Sequence, residues 1–149
     1  LSEKGIEQSI KLKDQIKGKN FNVVFCSDLK RAVDSANLTF GIVIKDKRLR
    51  ECNYGDLNGG GAEKVEKMAE KCIDKAFPKG ESYKEVEARI RAFLKDLKIS
   101  YDGKSIALVA HKAPQLALDV IIKKKTWKQA MKEDWRKTKA WKPGWDYKL

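Results

Sequence analysis

Three short apolar runs, separated by helix-forming sequence, constrain the fold of this 149-residue chain more than any other feature. They lie at residues 21–26 (FNVVFC), 42–44 (IVI) and 105–110 (SIALVA), and their uncharged, mostly branched composition is typical of buried strands. Because helical sequence alternates with these runs, the chain is predicted to form a three-layer α/β/α domain with a mainly parallel sheet.

Helical patterns fill the segments between and after the runs. Ser2 is a candidate N-cap for the first helix, and Ser27 and Asp28 offer caps for the second. The predicted helices cover residues 2–17, 29–38, 62–76, a segment that begins at Ser82, and a segment that has Pro114 near its first turn and reaches about residue 122. Residues 48–61 are too rich in glycine for a regular element, and no repeat or linker is visible, so residues 1–149 are interpreted as one domain.

Composition narrows the class of protein. Lys and Arg number 33 against 21 Asp and Glu, a formal net charge of +12. Since 27 of the basic residues are lysines spread through every segment, the charge indicates a solvated surface, and nucleic acid is not the expected partner. No apolar run is long enough to span a bilayer, and no secretory signal is visible, so no membrane partner is expected.

The cysteines and histidine bear on location and cofactors. Three cysteines without metal-ligand spacing predict reduced thiols in a cytoplasmic protein. The chain has one histidine, His111, which argues against a zinc site, and no cofactor is expected.

Chemically active residues follow each predicted strand. Parallel sheets bind ligands beyond the carboxyl ends of their strands, where this sequence has Arg31, Glu51 and His111. A guanidinium near a helix N-terminus suits a phosphate dianion, and a carboxyl in a loop or an imidazole at a strand end can handle protons. Taken singly, Arg31 and Glu51 could be surface residues and His111 a structural one. Their matching positions favour a shared function.

Five segments also resemble the histidine phosphatase superfamily, in the same order along the chain. Residues 26–36 (CSDLKRAVDSA) are similar to its SSDLxRAxxTA segment, and residues 49–59 (LRECNYGDLNG) to LRExxFGxxEG. Residues 77–86 (FPKGESYKEV), 108–114 (LVAHKAP) and 1–9 (LSEKGIEQS) are similar to PxGESxxEV, VSHGG and LTxxGxxQA. The resemblance implies a phosphoglycerate mutase-like fold.

This resemblance also implies a mechanism in which a histidine of an RHG motif attacks phosphorus and forms a phosphohistidine. Arg31 would then bind phosphate, His111 would be the second pocket histidine and Glu51 the general acid. Ser27 and Lys112 would line the substrate pocket. Lys112 stands where the family usually has glycine, and it could add a cation for an anionic substrate or simply face solvent.

The RHG motif itself does not occur in this sequence. In the family it precedes the LTxxGxxQA helix, which is where this chain begins. We therefore expect an N-terminally incomplete, inactive part of a longer enzyme, and the alternative is a degenerate paralogue that keeps the scaffold.

The function expected from these patterns is hydrolysis of the phosphomonoester of a small metabolite, with no prediction of oligomeric state. The small glycine-rich insertion at residues 59–61 favours a phosphatase, and a mutase-type phosphotransferase is the alternative. A rival hypothesis is a nucleic-acid-binding module formed by residues 123–149, which interleave basic residues with all four tryptophans. The competing interpretation is that Trp127, Met131 and Trp135 pack a last helix on the core.

Overall fold

The computed structural model describes residues 1–138, 141–142 and 144–149. Its helices are α1 (Glu3–Gln15), α2 (Lys30–Phe40), α3 (Ala62–Met68), α4 (Tyr83–Ser100), α5 (Lys112–Ile122) and α6 (Trp127–Lys132). Its strands are β1 (Val23–Cys26), β2 (Ile44–Lys45) and β3 (Ile106–Val109). The chain divides into two compact units, unit 1 with Leu1–Arg50 and Leu97–His111, and unit 2 with Glu51–Asp96 and Lys112–Leu149.

The sheet of unit 1 is parallel, as the sequence predicts. Its order is β2-β1-β3, and Phe25 of β1 pairs with Ile44 on one side and Leu108 on the other. The central strand is the best buried, with Cys26 fully inaccessible. Both main strands lie inside their predicted runs.

The second strand differs from its prediction. Residues 42–44 were expected to form it, but β2 begins only at Ile44, and Ile42 is 94% exposed. Gly41 has a φ of +87°, so the chain is still turning after α2 at this point. Pairing continues past β2, where the Asp46 N–H donates to the Cys26 carbonyl.

Two helices support the sheet in unit 1. The Ser2 hydroxyl accepts the Gly5 N–H at 3.2 Å, which confirms the predicted cap of α1. The predicted caps of α2 are wrong, because Leu29 occupies the N-cap position and makes no side-chain cap bond. α2 packs on β1 and β3, and α1 packs on α2.

In unit 2 the predicted helix over residues 62–76 is wrong beyond Met68. The carbonyls of Cys72 and Ile73 accept the N–H groups of Tyr83 and Lys84, each at 3.0 Å, so the start of α4 takes the bonds that a longer helix would need. Both residues are buried in these turns.

The other predicted helices of this unit are confirmed at their starts. Ser82 and Glu85 form reciprocal bonds, Ser82 N–H to Glu85 Oε2 and Glu85 N–H to Ser82 Oγ, which begin α4. Pro114 lies in the first turn of α5, where its missing N–H is tolerated. In the part of the chain that the structure describes, no helix combines the length and apolar composition of a membrane span.

Candidate functional site

A polar cluster lies at the carboxyl ends of β1 and β3 in unit 1. Ser27 directly follows β1, and its N–H donates to the carbonyl of Val109, the last residue of β3, at 2.9 Å. This pairing brings the fully buried Ser27 side chain to His111, whose Nε2 lies 2.9 Å from the Ser27 oxygen. The sheet register therefore joins two of the predicted site residues.

Arg31 completes this cluster from the first turn of α2. Its Nε and Nη2 lie 3.3 and 3.2 Å from Nδ1 of His111. A guanidinium only donates, so Nδ1 is assigned as acceptor, and the proton of the neutral imidazole then belongs on Nε2. Nε2–H donates to Ser27, whose oxygen also accepts the Leu29 N–H at 3.3 Å. An exposed guanidinium and a half-buried imidazole thus lie side by side at strand ends, an arrangement suited to an oxyanion.

An ion pair next to this cluster was not predicted. Arg50 donates from Nε and Nη2 to the two carboxylate oxygens of Asp28, at 2.7 and 2.6 Å. These hydrogen bonds from Arg50 hold the pKa of Asp28 below its ordinary value. The pair joins the loop after β1 to the segment after β2, so Asp28 has a tertiary role instead of the predicted capping role.

Glu51 lies in unit 2, where its carboxylate is bonded to backbone. Oε1 accepts the N–H groups of Cys52 and Ala113, each at 2.9 Å. Ala113 belongs to the first turn of α5, so the carboxylate occupies the favourable end of that helix. Because Oε1 already accepts two hydrogens, a proton carried by Glu51 belongs on Oε2. The carboxylate is therefore fixed through Oε1, and Oε2 is the oxygen that a proton transfer would use.

Lys112 is not the solvent-facing lysine that one interpretation expected. Its Nζ lies 3.5 Å from Asp134 Oδ2 and 3.8 Å from Glu66 Oε1, and its side chain is 32% exposed. Asp134 is buried and also pairs with Arg136 at 3.0 Å. Sequence reasoning missed Asp134, since only the folded chain brings it to Lys112.

The structure therefore distributes the predicted site residues over three groups. In unit 1, Ser27 and Arg31 are each hydrogen-bonded to His111. Within unit 2, Glu51 is bonded to Ala113, and Lys112 is paired with Asp134. Across residues 1–138, 141–142 and 144–149, no three His, Cys, Asp or Glu side chains form a group that could hold a metal ion.

Residues 1–139 match the family model of the histidine phosphatase superfamily (branch 1). The chain belongs to the histidine phosphatase superfamily.

Two curated histidine phosphatase relatives illustrate the match. The chain is 32% identical over 109 residues to fructose-2,6-bisphosphatase TIGAR B of Danio rerio, covering 65% of this chain and 42% of that protein. It is 27% identical over 130 residues to phosphoserine phosphatase 1 of Hydrogenobacter thermophilus, covering 79% of this chain and 62% of that protein. The chain thus spans less than two thirds of the length of either relative.

Solved structures agree on the fold. YhfR of Bacillus stearothermophilus superposes with a TM-score of 0.75 at 21% identity, covering 87% of this chain and 70% of that one. Mycobacterial glucosyl-3-phosphoglycerate phosphatase complexed with VO3 gives a TM-score of 0.74 at 28% identity, covering 87% and 72%. The predicted phosphoglycerate mutase-like α/β fold is confirmed. Members of this superfamily are phosphatases or mutases.

Proposed function

We propose that this chain supplies the phosphate-binding and proton-donating groups of a phosphomonoester hydrolase that works through a phosphohistidine. The observation that carries this proposal is the bonded cluster of Ser27, Arg31 and His111 at the carboxyl ends of two parallel strands. Family membership supports it, since this edge of the sheet is where the resemblance puts the phosphate.

Each residue has a chemical task in this proposal. The transferring phosphoryl group carries its charge on three equatorial oxygens, and Arg31 donates hydrogen bonds to them. When Arg31 leaves Nδ1 of His111 to do so, the imidazole hydrogen moves to Nδ1 and is donated to the same oxygens, while the Ser27 hydroxyl donates to Nε2. Glu51 gives the proton on Oε2 to the ester oxygen as the bond from phosphorus to that oxygen breaks, so the product leaves as a neutral alcohol. Water then hydrolyses the phosphohistidine and releases inorganic phosphate.

Ser27 and Lys112 take different tasks. The Ser27 hydroxyl is buried and bonded to Nε2 of His111, so in this proposal it orients the imidazole instead of contacting substrate. Lys112 is paired with Asp134 and Glu66, and an anionic substrate would have to displace both carboxylates to use it. We therefore place Lys112 outside the phosphate site.

The nucleophile has to be a second histidine, because His111 holds the place of the pocket histidine in the resemblance and the chain contains no other. We propose that it lies in a segment that precedes Leu1 in the complete protein. On this proposal the 149 residues alone do not turn over phosphate esters.

The proposed substrate is a small phosphorylated metabolite. The relatives are described as phosphatases of fructose 2,6-bisphosphate, phosphoserine and glucosyl-3-phosphoglycerate, which favours hydrolysis over phosphoryl transfer to a second substrate. Cys26, Cys52 and Cys72 are free and buried, which is consistent with the cytoplasmic location that we propose.

The test is hydrolysis of glycerol 2-phosphate, whose alkoxide leaving group needs a proton donor, by the complete protein, including whatever precedes Leu1. We expect activity in that protein, and we expect it to fall by about 10²-fold or more when Glu51→Gln and His111→Ala are combined. Full activity in the double variant would contradict the assigned roles. An inactive complete protein without a second histidine would instead favour the degenerate paralogue.

A further inference from the structure

The backbone around Glu51 is held by an ion pair from another part of unit 2. Arg89 of α4 donates from Nη2 to Glu81 Oε1 at 2.7 Å and from Nε to Glu81 Oε2 at 3.3 Å. Both side chains are about four-fifths buried, with exposed fractions of 20% and 21%. A two-point contact at this burial is geometrically restrictive, because the fork of the guanidinium fixes the plane of the carboxylate.

Both members of the pair also bind the main chain on either side of Cys52. Nη2 of Arg89 donates to the carbonyl of Glu51 at 3.1 Å. Oε1 of Glu81 accepts the N–H of Asn53 at 2.8 Å, and the Glu81 N–H donates to the Asn53 carbonyl at 2.9 Å. The ion pair is therefore hydrogen-bonded to the peptide units directly before and after Cys52.

This loop has no room to shift towards the segment that carries Glu81. A Cβ on Gly80 would collide with the carbonyl of Asn53, and a Cβ on Gly55 would collide with the carbonyl of Pro78. Gly55 also has a φ of +58°, which favours glycine. The two backbones are in direct contact, so the Arg89–Glu81 pair acts on a loop that is already closely packed.

The Glu51 carboxylate is anchored to the same stretch. Its Oε1 accepts the N–H of Cys52, which belongs to the same peptide unit as the Glu51 carbonyl that Arg89 holds, and the N–H of Ala113. A rotation of the main chain at residue 51 or 52 would move Oε1 from these donors and redirect Oε2. The direction of the proton-bearing oxygen thus depends on the carbonyl that Arg89 holds.

We propose that Arg89 is a positioning residue for Glu51, and that its simultaneous contacts with Glu81 and the Glu51 carbonyl aim Oε2 at the leaving-group oxygen. The inference rests on the proposed role of Glu51 as proton donor. Lysine keeps the charge but has one nitrogen and no planar fork, so it cannot reproduce the three contacts. Arg89→Lys is therefore the informative substitution.

The kinetic test compares two substrates in the complete protein. Glycerol 2-phosphate needs a proton donor because an alkoxide is a poor leaving group, whereas p-nitrophenolate leaves without one. We expect Arg89→Lys to lower kcat for glycerol 2-phosphate by about 10- to 100-fold, with less than about a threefold change for p-nitrophenyl phosphate and little change in either KM. Glu51→Gln should show the same selectivity more strongly.

The matched control is Arg91→Lys. Arg91 lies two residues further along α4, is half exposed and pairs with Glu87 at 2.8 Å. This variant should leave both substrates unaffected. If Glu51→Gln is selective but Arg89→Lys lowers both substrates equally, or neither, the positioning role is overturned while the proposed function stands. If Glu51→Gln is itself not selective, the proton-donor role fails.

A second measurement does not depend on activity. Amide hydrogen exchange at Cys52 and Ala113 reports the two bonds to Glu51 Oε1 in the 149-residue chain. We expect exchange at both to be about fivefold faster or more in Arg89→Lys and unchanged in Arg91→Lys. Unchanged exchange in a folded Arg89→Lys would overturn the inference whatever the kinetics. If that variant does not fold, Glu81→Gln keeps an acceptor for Asn53 N–H, weakens the grip on Arg89 and is expected to shift both readouts in the same direction.

Discussion

His111 is hydrogen-bonded through both nitrogens of its ring, to Arg31 at Nδ1 and to Ser27 at Nε2. A guanidinium only donates, so this contact requires an Nδ1 that carries no hydrogen. An oxyanion that accepts hydrogen bonds from Arg31 would release Nδ1 from the contact. The bonding of the ring is therefore expected to respond to phosphate.

Substitution of Ser27 tests how the ring is oriented. Ser27→Ala removes the acceptor for Nε2–H at a fully buried position, so we expect a loss of about 1 kcal/mol in the free energy of unfolding. We also expect the tautomer populations of His111 to change, which long-range ¹H–¹⁵N spectra of the imidazole report. An unchanged tautomer in Ser27→Ala would show that Arg31 alone sets it.

Part of this residue-scale picture could be predicted. The structure shows Ser27, Arg31 and His111 at the ends of strands whose apolar runs are unambiguous, as the sequence indicates, and their roles stay predictions. The ion pair of Asp28 with Arg50 was missed, because it depends on which loop the fold brings next to the strand end, and no local pattern encodes that choice.

At the scale of elements, α4 shows when a pattern is sufficient. Its predicted start at Ser82 is a local signal, and the reciprocal bonds between Ser82 and Glu85 confirm it. That the predicted helix does not reach residue 76 could not be predicted, since the carbonyls of Cys72 and Ile73 accept N–H groups from residues more than ten positions away.

The contacts of the C-terminal segment bear on its two hypotheses, a nucleic-acid-binding module and a last helix that packs on the core. Trp127 is buried in α6 and donates from Nε1 to Glu87 at 2.9 Å, as expected of a packing residue. The same helix ends at Lys132, so Trp135 lies outside it and its ring contacts that of Trp145. The guanidinium of Arg136 lies 5.1 and 5.4 Å from the centres of these two rings. Lys139 and Ala140 of the basic stretch lie outside the described residues.

Since these aromatic rings have intramolecular partners, they are poor platforms for stacked bases. We expect the dissociation constant for single-stranded RNA or DNA to be larger than about 1 μM near 0.1 M salt. A fluorescence anisotropy titration at several salt concentrations checks this. A dissociation constant that rises steeply with salt would contradict it and favour the nucleic-acid hypothesis.

For the whole molecule, the net charge of +12 affects ligand binding, whereas the buried tyrosines and the buried Cys52 thiol affect stability at high pH. The charge attracts a small anion weakly and does not select one anion over another. Burial raises the pKa of Tyr54, Tyr83, Tyr147 and the Cys52 thiol above their ordinary values.

The expectation that residues 1–149 form a single domain stays a prediction.

These raised pKa values predict alkaline instability. Between the ordinary and the raised pKa, the unfolded chain releases a proton that the folded chain keeps, so the free energy of unfolding falls as pH rises. The fall begins near the ordinary thiol pKa of 9.0 and steepens above the ordinary tyrosine pKa of 10.0, by about 1.4 kcal/mol per pH unit for each group. Urea unfolding at a series of pH values checks this, and a stability that is constant through this range would contradict it.

The central claim is that Arg31 and His111 form an oxyanion site. Because His111 is the single histidine of the chain, its imidazole ¹⁵N signals are an unambiguous probe. The decisive measurement is a titration of the 149-residue chain with inorganic phosphate, followed at these signals, for the unchanged chain, Arg31→Ala and the neighbouring control Lys30→Ala. We predict a saturable shift in the unchanged chain and in Lys30→Ala, and affinity at least about tenfold weaker in Arg31→Ala. Equal affinity in Arg31→Ala, or no saturable shift in the unchanged chain, would contradict the claim.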